Sequence, residues 1–269
     1  MTTTEVDGFL AKARPFLVAD PVANNVLLTE AHFWWRLPQP VPGARFGWWA
    51  EDGEANGAFV HIPEHPLVCS PLSPSSVTDL PEVLADTTCL GVHAPDVPAV
   101  TAAWRAQQQV LRPTARITLL RLNDLPARAL PEGAPRLATV GDLSLLRSWF
   151  QLFQERHPDD ASSVEFVVDH PVEDGGVIFW EVEDRPVAMA SRTSEVAGVV
   201  RMGLAFQPTT GTRYADAAFD VACVEAARTA AHVLVLSGTP KATAKHQALG
   251  FEPVLDRVVL EVENHSTGI

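Results

Sequence analysis

In the second half of the 269-residue chain, the apolar run Val199-Val200-Arg201-Met202-Gly203-Leu204-Ala205-Phe206 passes into Gln207-Pro208-Thr209-Thr210-Gly211-Thr212-Arg213-Tyr214-Ala215. The first segment reads as a strand, the second as a short Pro/Thr/Gly turn that opens on a long Ala-rich helix. Such a turn aims unpaired backbone N–H groups and the positive end of a helix dipole at one point, which suits a phosphate-bearing ligand. Gly211 marks the centre of this anion cradle, because backbone without a Cβ lets phosphate approach closely. Farther on, Leu249-Gly250-Phe251 ends a helix at a glycine and restarts a strand, as a left-handed C-cap allows.

Other reactive side chains read as structural. His61 and His65 have the i, i+4 spacing of a helical metal pair, but Pro63 and the preceding strand pattern place them off any helix, so no metal is expected there. Cys69, Cys89 and Cys223 are odd in number and widely spaced, without a CxxC, which predicts reduced thiols rather than a disulfide framework or zinc site. Cys223 has no His/Asp partner at a useful spacing and reads as core. Asp216 and Asp220 in the first turns of the Ala-rich helix complement its dipole. Glu155, Arg156 and His157, at the end of a helix carrying Trp149, Phe150 and Phe153, stand either at an acceptor pocket or on a solvated helix end.

The elements that must hold the cradle fall into two similar series. Helical segments from Asp7 to Arg36, interrupted near Pro15 and Pro21, precede strands at 45–50 and 57–62, a helix at 76–84, a strand at 88–92, a helix at 97–110 and a strand at 115–122. After a Pro/Ala/Leu-rich linker at 123–135, a strand at 136–139, a helix capped by Asp142, a hairpin at 177–191 and the 199–206 strand repeat the plan. Trp49-Ala50-Glu51-Asp52 and Trp180-Glu181-Val182-Glu183-Asp184 open matching acidic hairpins half a chain apart, which predicts a tandem duplication. The turn corresponding to Gly211 in the first half, Pro71-Leu72-Ser73-Pro74-Ser75-Ser76, has no glycine and reads as a degenerate copy.

Composition narrows the function classes. The 46% hydrophobic and 20% charged residues are those of a globular protein. The net charge of −13 is spread over both halves, with 9 basic against 13 acidic side chains up to Leu130 and 11 against 20 after it. No basic cluster offers a nucleic-acid surface, and the acidic field favours cationic, amine-bearing small molecules. The first residues lack the pattern of a signal peptide and no apolar run is long enough to span a bilayer, so a cytoplasmic location without membrane contact is expected.

The strand-turn-helix junction at 199–215 together with Leu249-Gly250-Phe251 resembles the GNAT acyltransferase superfamily, whose members move an acyl group from coenzyme A to an amine. The resemblance implies an α/β fold in two tandem GNAT-like domains, a degenerate one at 1–125 and an acyltransferase domain at 136–269. It implies that Leu204, Ala205 and Phe206 hold pantetheine through their backbone and that Gly211, Thr212, Arg213 and Tyr214 bind the pyrophosphate. The donor would be acetyl-CoA or another acyl-CoA, and the acceptor the amine of a small molecule. The family loop Gln/Arg-x-x-Gly-x-Gly/Ala is two residues shorter here, and Arg213 stands at the second glycine, either contacting phosphate or filling its space. The family's acid, a tyrosine before the Gly-Phe strand, is replaced by His246, and Thr239 and Thr243 stand where asparagines often help hold coenzyme A. His246 titrates near neutrality and is either the catalytic group or a solvated helix residue beside Lys241 and Lys245. These departures leave rivals of two classes: a donor carried on an acyl carrier protein or another reaction on the same scaffold, and a non-catalytic binding or sensor module.

Overall fold

Alanines and other small side chains recur at Ala215, Ala218, Ala222 and Ala226, so one face of the helix they share is narrow and packs closely on a sheet. Patterns of this kind organise the chain into two compact units of mixed α/β structure, one formed by Met1–Leu119, Ser237–Thr243 and Pro253–Ile269, the other by Leu120–Leu236 and Ala244–Glu252. The computed structural model describes residues 1–37, 42–158, 160 and 162–263.

In chain order the first unit contains β1 (Thr2–Thr3), α1 (Val6–Ala19), α2 (Asn25–Arg36), β2 (Arg45–Glu51), β3 (Glu54–His61), β4 (Leu67–Cys69), α3 (Pro74–Val83), β5 (Cys89–His93), α4 (Val97–Ala106) and the start of β6 (Leu111–Leu122). Strands β1 to β4 pair antiparallel in order, and β4 then pairs parallel with β5. Contrary to expectation, Pro15 does not interrupt α1. The lost backbone hydrogen bond is outweighed by Phe9, Ala13 and Leu17, which recur at four-residue spacing and are fully buried.

The second unit follows with β7 (Ala134–Leu137), α5 (Leu143–Arg156), a wide helical turn at Glu165–Asp169 continuing into α6 (His170–Glu173), β8 (Val177–Val182), β9 (Arg185–Arg192), β10 (Val199–Phe206), α7 (Arg213–Thr229) and β11 (His232–Ser237). Beyond it come α8 (Pro240–Ala248) and β12 (Phe251–Val262). Strands β7 to β10 pair antiparallel and β10 pairs parallel with β11. Asp142 stands at the N-cap position of α5 as expected, but its side chain makes no capping hydrogen bond there. Its carboxylate accepts from the Thr139 N–H and hydroxyl in a capping box one turn earlier and forms an ion pair with Arg136.

The duplication is visible in detail. Hairpin β2–β3 turns through Asp52 and Gly53, both at positive φ, and β8–β9 turns through Glu183 and Asp184, also both positive. Each hairpin carries an irregularity directly after its tryptophan, between Trp49 and Ala50 and between Trp180 and Glu181. The closing strands cross over: β6 starts in the first unit's core at Leu111 and ends in the second's at Leu120, while β12 runs from the second core at Phe251 to the first at Val258 and Leu260. There β12 pairs antiparallel with β5. Gly250, ahead of β12, takes a φ of +87° as the expected left-handed cap, and a Cβ on it would meet the Asp124 backbone.

Candidate active site

Parallel pairing between β10 and β11 covers Val199 to Arg201 against His232 to Leu234 and then stops. On its other side, β10 shifts register against β9 between Met202 and Ala205. The shift is held by Ser191 of β9, fully buried, whose hydroxyl accepts the Leu204 N–H at 3.1 Å. Gly203 is needed at this point, because a Cβ would lie 2.7 Å from the Ser191 hydroxyl. The last residues of β10, Leu204, Ala205 and Phe206, therefore run on beside β11 without its ladder, leaving strand backbone for a ligand. Ser191 carries no sequence pattern, since only the register brings it to the bulge.

After Phe206 the turn is shaped by Gln207. Its amide donates to the Thr209 hydroxyl and the Thr210 carbonyl, and its side-chain oxygen accepts the Tyr214 N–H at 3.1 Å. Gly211 has φ +98°, and a Cβ built there would touch only Gln207 at 3.8 Å, so the turn requires glycine and leaves space over it. Thr212 precedes α7 but does not cap it; its hydroxyl donates to Asp216, whose other oxygen accepts from Lys245 at 2.6 Å. Among the described residues the N–H groups of Gly211, Thr212 and Arg213 have no hydrogen-bond partner. The cradle has room and donors, which fits a phosphate.

Arg213 does not reach over the cradle. Its guanidinium stacks on the Tyr214 ring at 4.5 Å, and both Arg213 and the Tyr214 hydroxyl hydrogen-bond Glu132, at 2.5 and 2.7 Å. These bonds hold the Glu132 carboxyl below its usual range, so it is ionised at neutral pH. Glu132 lies in the segment that the sequence reads as a linker. That segment is strapped to the second unit through an Arg128–Asp220 ion pair and the Asn123 N–H on the Gly250 carbonyl. Glu132 escapes sequence reading because its partners lie some eighty residues away.

His246, on α8, packs its half-buried ring against Phe219 of α7 and Phe251 of β12, each at 6.0 Å. Burial, with a smaller contribution from Lys245, lowers its pKa, so the ring is neutral at pH 7 and in the form that accepts a proton. Its Nδ1 is buried and has no hydrogen-bond partner among the described residues. Thr243 turns its hydroxyl to Ser237 at 2.9 Å and to the Thr239 carbonyl at 3.1 Å, bonds that secure the start of α8.

The remaining candidates separate cleanly. Arg156 lies over the Phe206 ring at 5.2 Å and donates to the Gln207 and Pro208 carbonyls, fastening α5 to the end of β10, and His157 stacks on Phe153. Glu155 is exposed. Burial pushes the Cys69 thiol up to about 12 and raises Cys223 further, so neither is a nucleophile. His61 ends β3 beside Arg45, and among the described residues no cluster of His, Cys, Asp or Glu could hold a metal. No helix among them is long and apolar enough to cross a membrane. A cleft of about 340 Å³ between Leu122–Leu125 and the far end of α7 lies about 20 Å along the helix from the cradle.

The corresponding place in the first unit is filled from within. Ser73 caps α3 by accepting the Ser76 N–H at 3.2 Å, and Asp96 accepts the Leu72 N–H at 3.1 Å. Past the short parallel pairing of β4 with β5, buried Arg257 donates to the Cys69 carbonyl and approaches His93 Nε2 at 3.3 Å.

No protein-family model and no curated protein sequence matches the chain. Solved structures do. A GCN5-related N-acetyltransferase from Sphaerobacter thermophilus superposes with a TM-score of 0.65 at 16% identity, covering 100% of this chain and 96% of that one. One from Kribbella flavida gives 0.56 at 17% identity over 79% and 88%. A tandem GNAT protein from the clavulanic acid biosynthesis pathway, solved without acetyl-CoA, gives 0.54 at 15% identity over 90% and 89%. With its repeated hairpins, two parallel strand pairs and glycine turn into α7, the chain has the GNAT acyltransferase fold in tandem arrangement.

Proposed function

We propose that the chain is an N-acyltransferase that moves an acyl group, acetyl in the first instance, from acyl-CoA to the amine of a small molecule. The observation that carries this reading is the end of β10–β11 pairing at Arg201, ahead of a glycine turn into α7 whose N-cap residue Thr212 makes no capping bond. Acyl-CoA supplies a thioester whose carbonyl carbon the amine attacks, forming the C–N bond and breaking the C–S bond. The backbone of Leu204, Ala205 and Phe206 orients pantetheine, and Gly211, Thr212 and Arg213 offer their N–H groups to the phosphates. Thr243 contributes by fixing the start of α8. His246, held neutral, takes the proton that the attacking amine must lose. The segments 1–125 and 136–269 are the two copies, of which only the second keeps a donor site.

Thermal shift with coenzyme A, then thiol release from acetyl-CoA with a panel of amines, tests the reading. One donor site per chain and amine-dependent thiol release are expected; two sites, or none at millimolar coenzyme A, overturn it. Binding without turnover by any amine favours the non-catalytic module instead, a reading to which the packing of His246 between two phenylalanines lends weight.

A further inference from the structure

The donor site proposed above contains an acidic side chain where an anionic ligand is to bind. Glu132 is anchored there by more than its own carboxylate. Its carbonyl accepts the indole N–H of fully buried Trp180 at 3.0 Å. The next residue, Gly133, takes φ +109°, and a Cβ on it would lie 2.2 Å from the Glu181 carbonyl oxygen, so the strap lies flat against β8. Held by this backbone, the carboxylate engages Arg213 and Tyr214, the first two residues of α7. Both members of the Arg213–Glu132 pair are about two-thirds exposed, at 62% and 65%, so the pair is weak and its arginine can be exchanged between partners. The negative charge itself stays at the helix end after any exchange.

We infer that Glu132 is a donor-selecting residue: it occupies Arg213 in place of a phosphate and disfavours a multiply charged nucleotide donor relative to a pantetheine carrying one phosphate. The inference rests on the donor site of the proposed function. Coenzyme A, with a diphosphate and a further 3′-phosphate, carries roughly twice the charge of 4′-phosphopantetheine, so one fixed carboxylate repels it more.

The test is calorimetric titration of both ligands into the native protein and Glu132→Gln, an isosteric change at an exposed position that keeps an acceptor for Arg213 and Tyr214. Coenzyme A is expected to bind the variant about 5-fold more tightly and phosphopantetheine about 2-fold, a difference that shrinks in high salt. Unchanged affinities, or equal gains for both ligands, overturn charge selection while leaving the donor site in place. Binding of neither ligand to either protein overturns the donor site and this inference together. Unfolding temperatures without ligand verify that both proteins are folded.

Discussion

The turns into α3 and α7 occupy the same place in the two copies, yet one closes on itself and the other stays open. At α3, Ser73 turns its hydroxyl inward to the Ser76 N–H, and Asp96 reaches in to the Leu72 N–H. At α7, Thr212 sends its hydroxyl away to Asp216, Gly211 stands at positive φ, and three N–H groups have no partner among the described residues. Behind α3 the end of the strand pair is filled by Arg257 and His93; behind α7 the β10–β11 pairing ends at Arg201 and Leu234. In a repeated fold, a turn that satisfies its own polar groups becomes structure, whereas the same turn with open donors keeps them available.

The largest expected effect breaks the comparison on its closed side. Burial, with Arg257 beside it, lowers the His93 pKa from 6.5 to about 4, and the Arg257 contact needs Nε2 as an acceptor. Since the folded-state value lies below the unfolded one, the unfolded chain binds protons first as pH falls. Stability is therefore complete above about pH 6.5 and declines toward pH 4, by on the order of 3 kcal/mol. Denaturant unfolding of native protein and His93→Gln across this range should show the decline and its loss in the variant; parallel curves would mean that His93 does not stay neutral.

On the open side, His246→Ala should lower turnover by roughly 10²-fold with donor affinity almost intact, the size of a general-base contribution. The native pH–rate profile should fall on its acid side below the histidine reference of about 6.5, because the folded pKa is lowered, and that limb should vanish in the variant. Equal turnover would leave His246 a packing residue. In the first copy, α4 carries Arg105 as its one charged residue, so no proton acceptor near neutrality stands there.

Gly211→Val should weaken coenzyme A by ~2 kcal/mol or more, since a β-branched residue is strained at φ +98° and covers the space above the turn. Ser73→Ala makes the matching change in the closed turn. Loss of that cap should cost ~1 kcal/mol of stability and leave donor affinity untouched. Titration and thermal unfolding of the two variants separate the roles; a donor effect at Ser73 would show that the first copy also binds.

Much of this contrast was legible in the residues. Gly211 and Gly250 announce positive φ because few other residues adopt it, and β8 and β10 stand out as mostly apolar runs between turn residues. The paired hairpins show as Trp and acidic residues at matching positions. What escaped depends on tertiary partners. Strand β4 has three residues, too few for a period, and the helical turns at 165–173 include Pro171 and mixed polarity. Pro15 reads as a helix breaker until the burial of Phe9 and Leu17 is known. Glu132 and Ser191 have no signature at all; a backbone anchor at Gly133 brings Glu132 to the start of α7, and a register shift at Gly203 brings Ser191 to the end of β10.

The smallest expected effect concerns Arg213, which the sequence leaves as either a phosphate contact or an obstruction. Its guanidinium lies on Tyr214 and Glu132, and its pair with Glu132 is exposed. Arg213→Ala removes a positive charge near the helix end and leaves Glu132 unopposed there. Both consequences weaken an anionic donor, each through water and therefore modestly, so coenzyme A should bind about 3-fold less tightly. Tighter binding would restore the obstruction. Combining Arg213→Ala with Glu132→Gln sharpens the result, because residues in contact are expected to be non-additive: once the carboxylate is gone, loss of the arginine should matter less. Additive changes in the titrated affinities would mean that the two side chains act on the donor separately and that the arginine is not passed from one anion to the other.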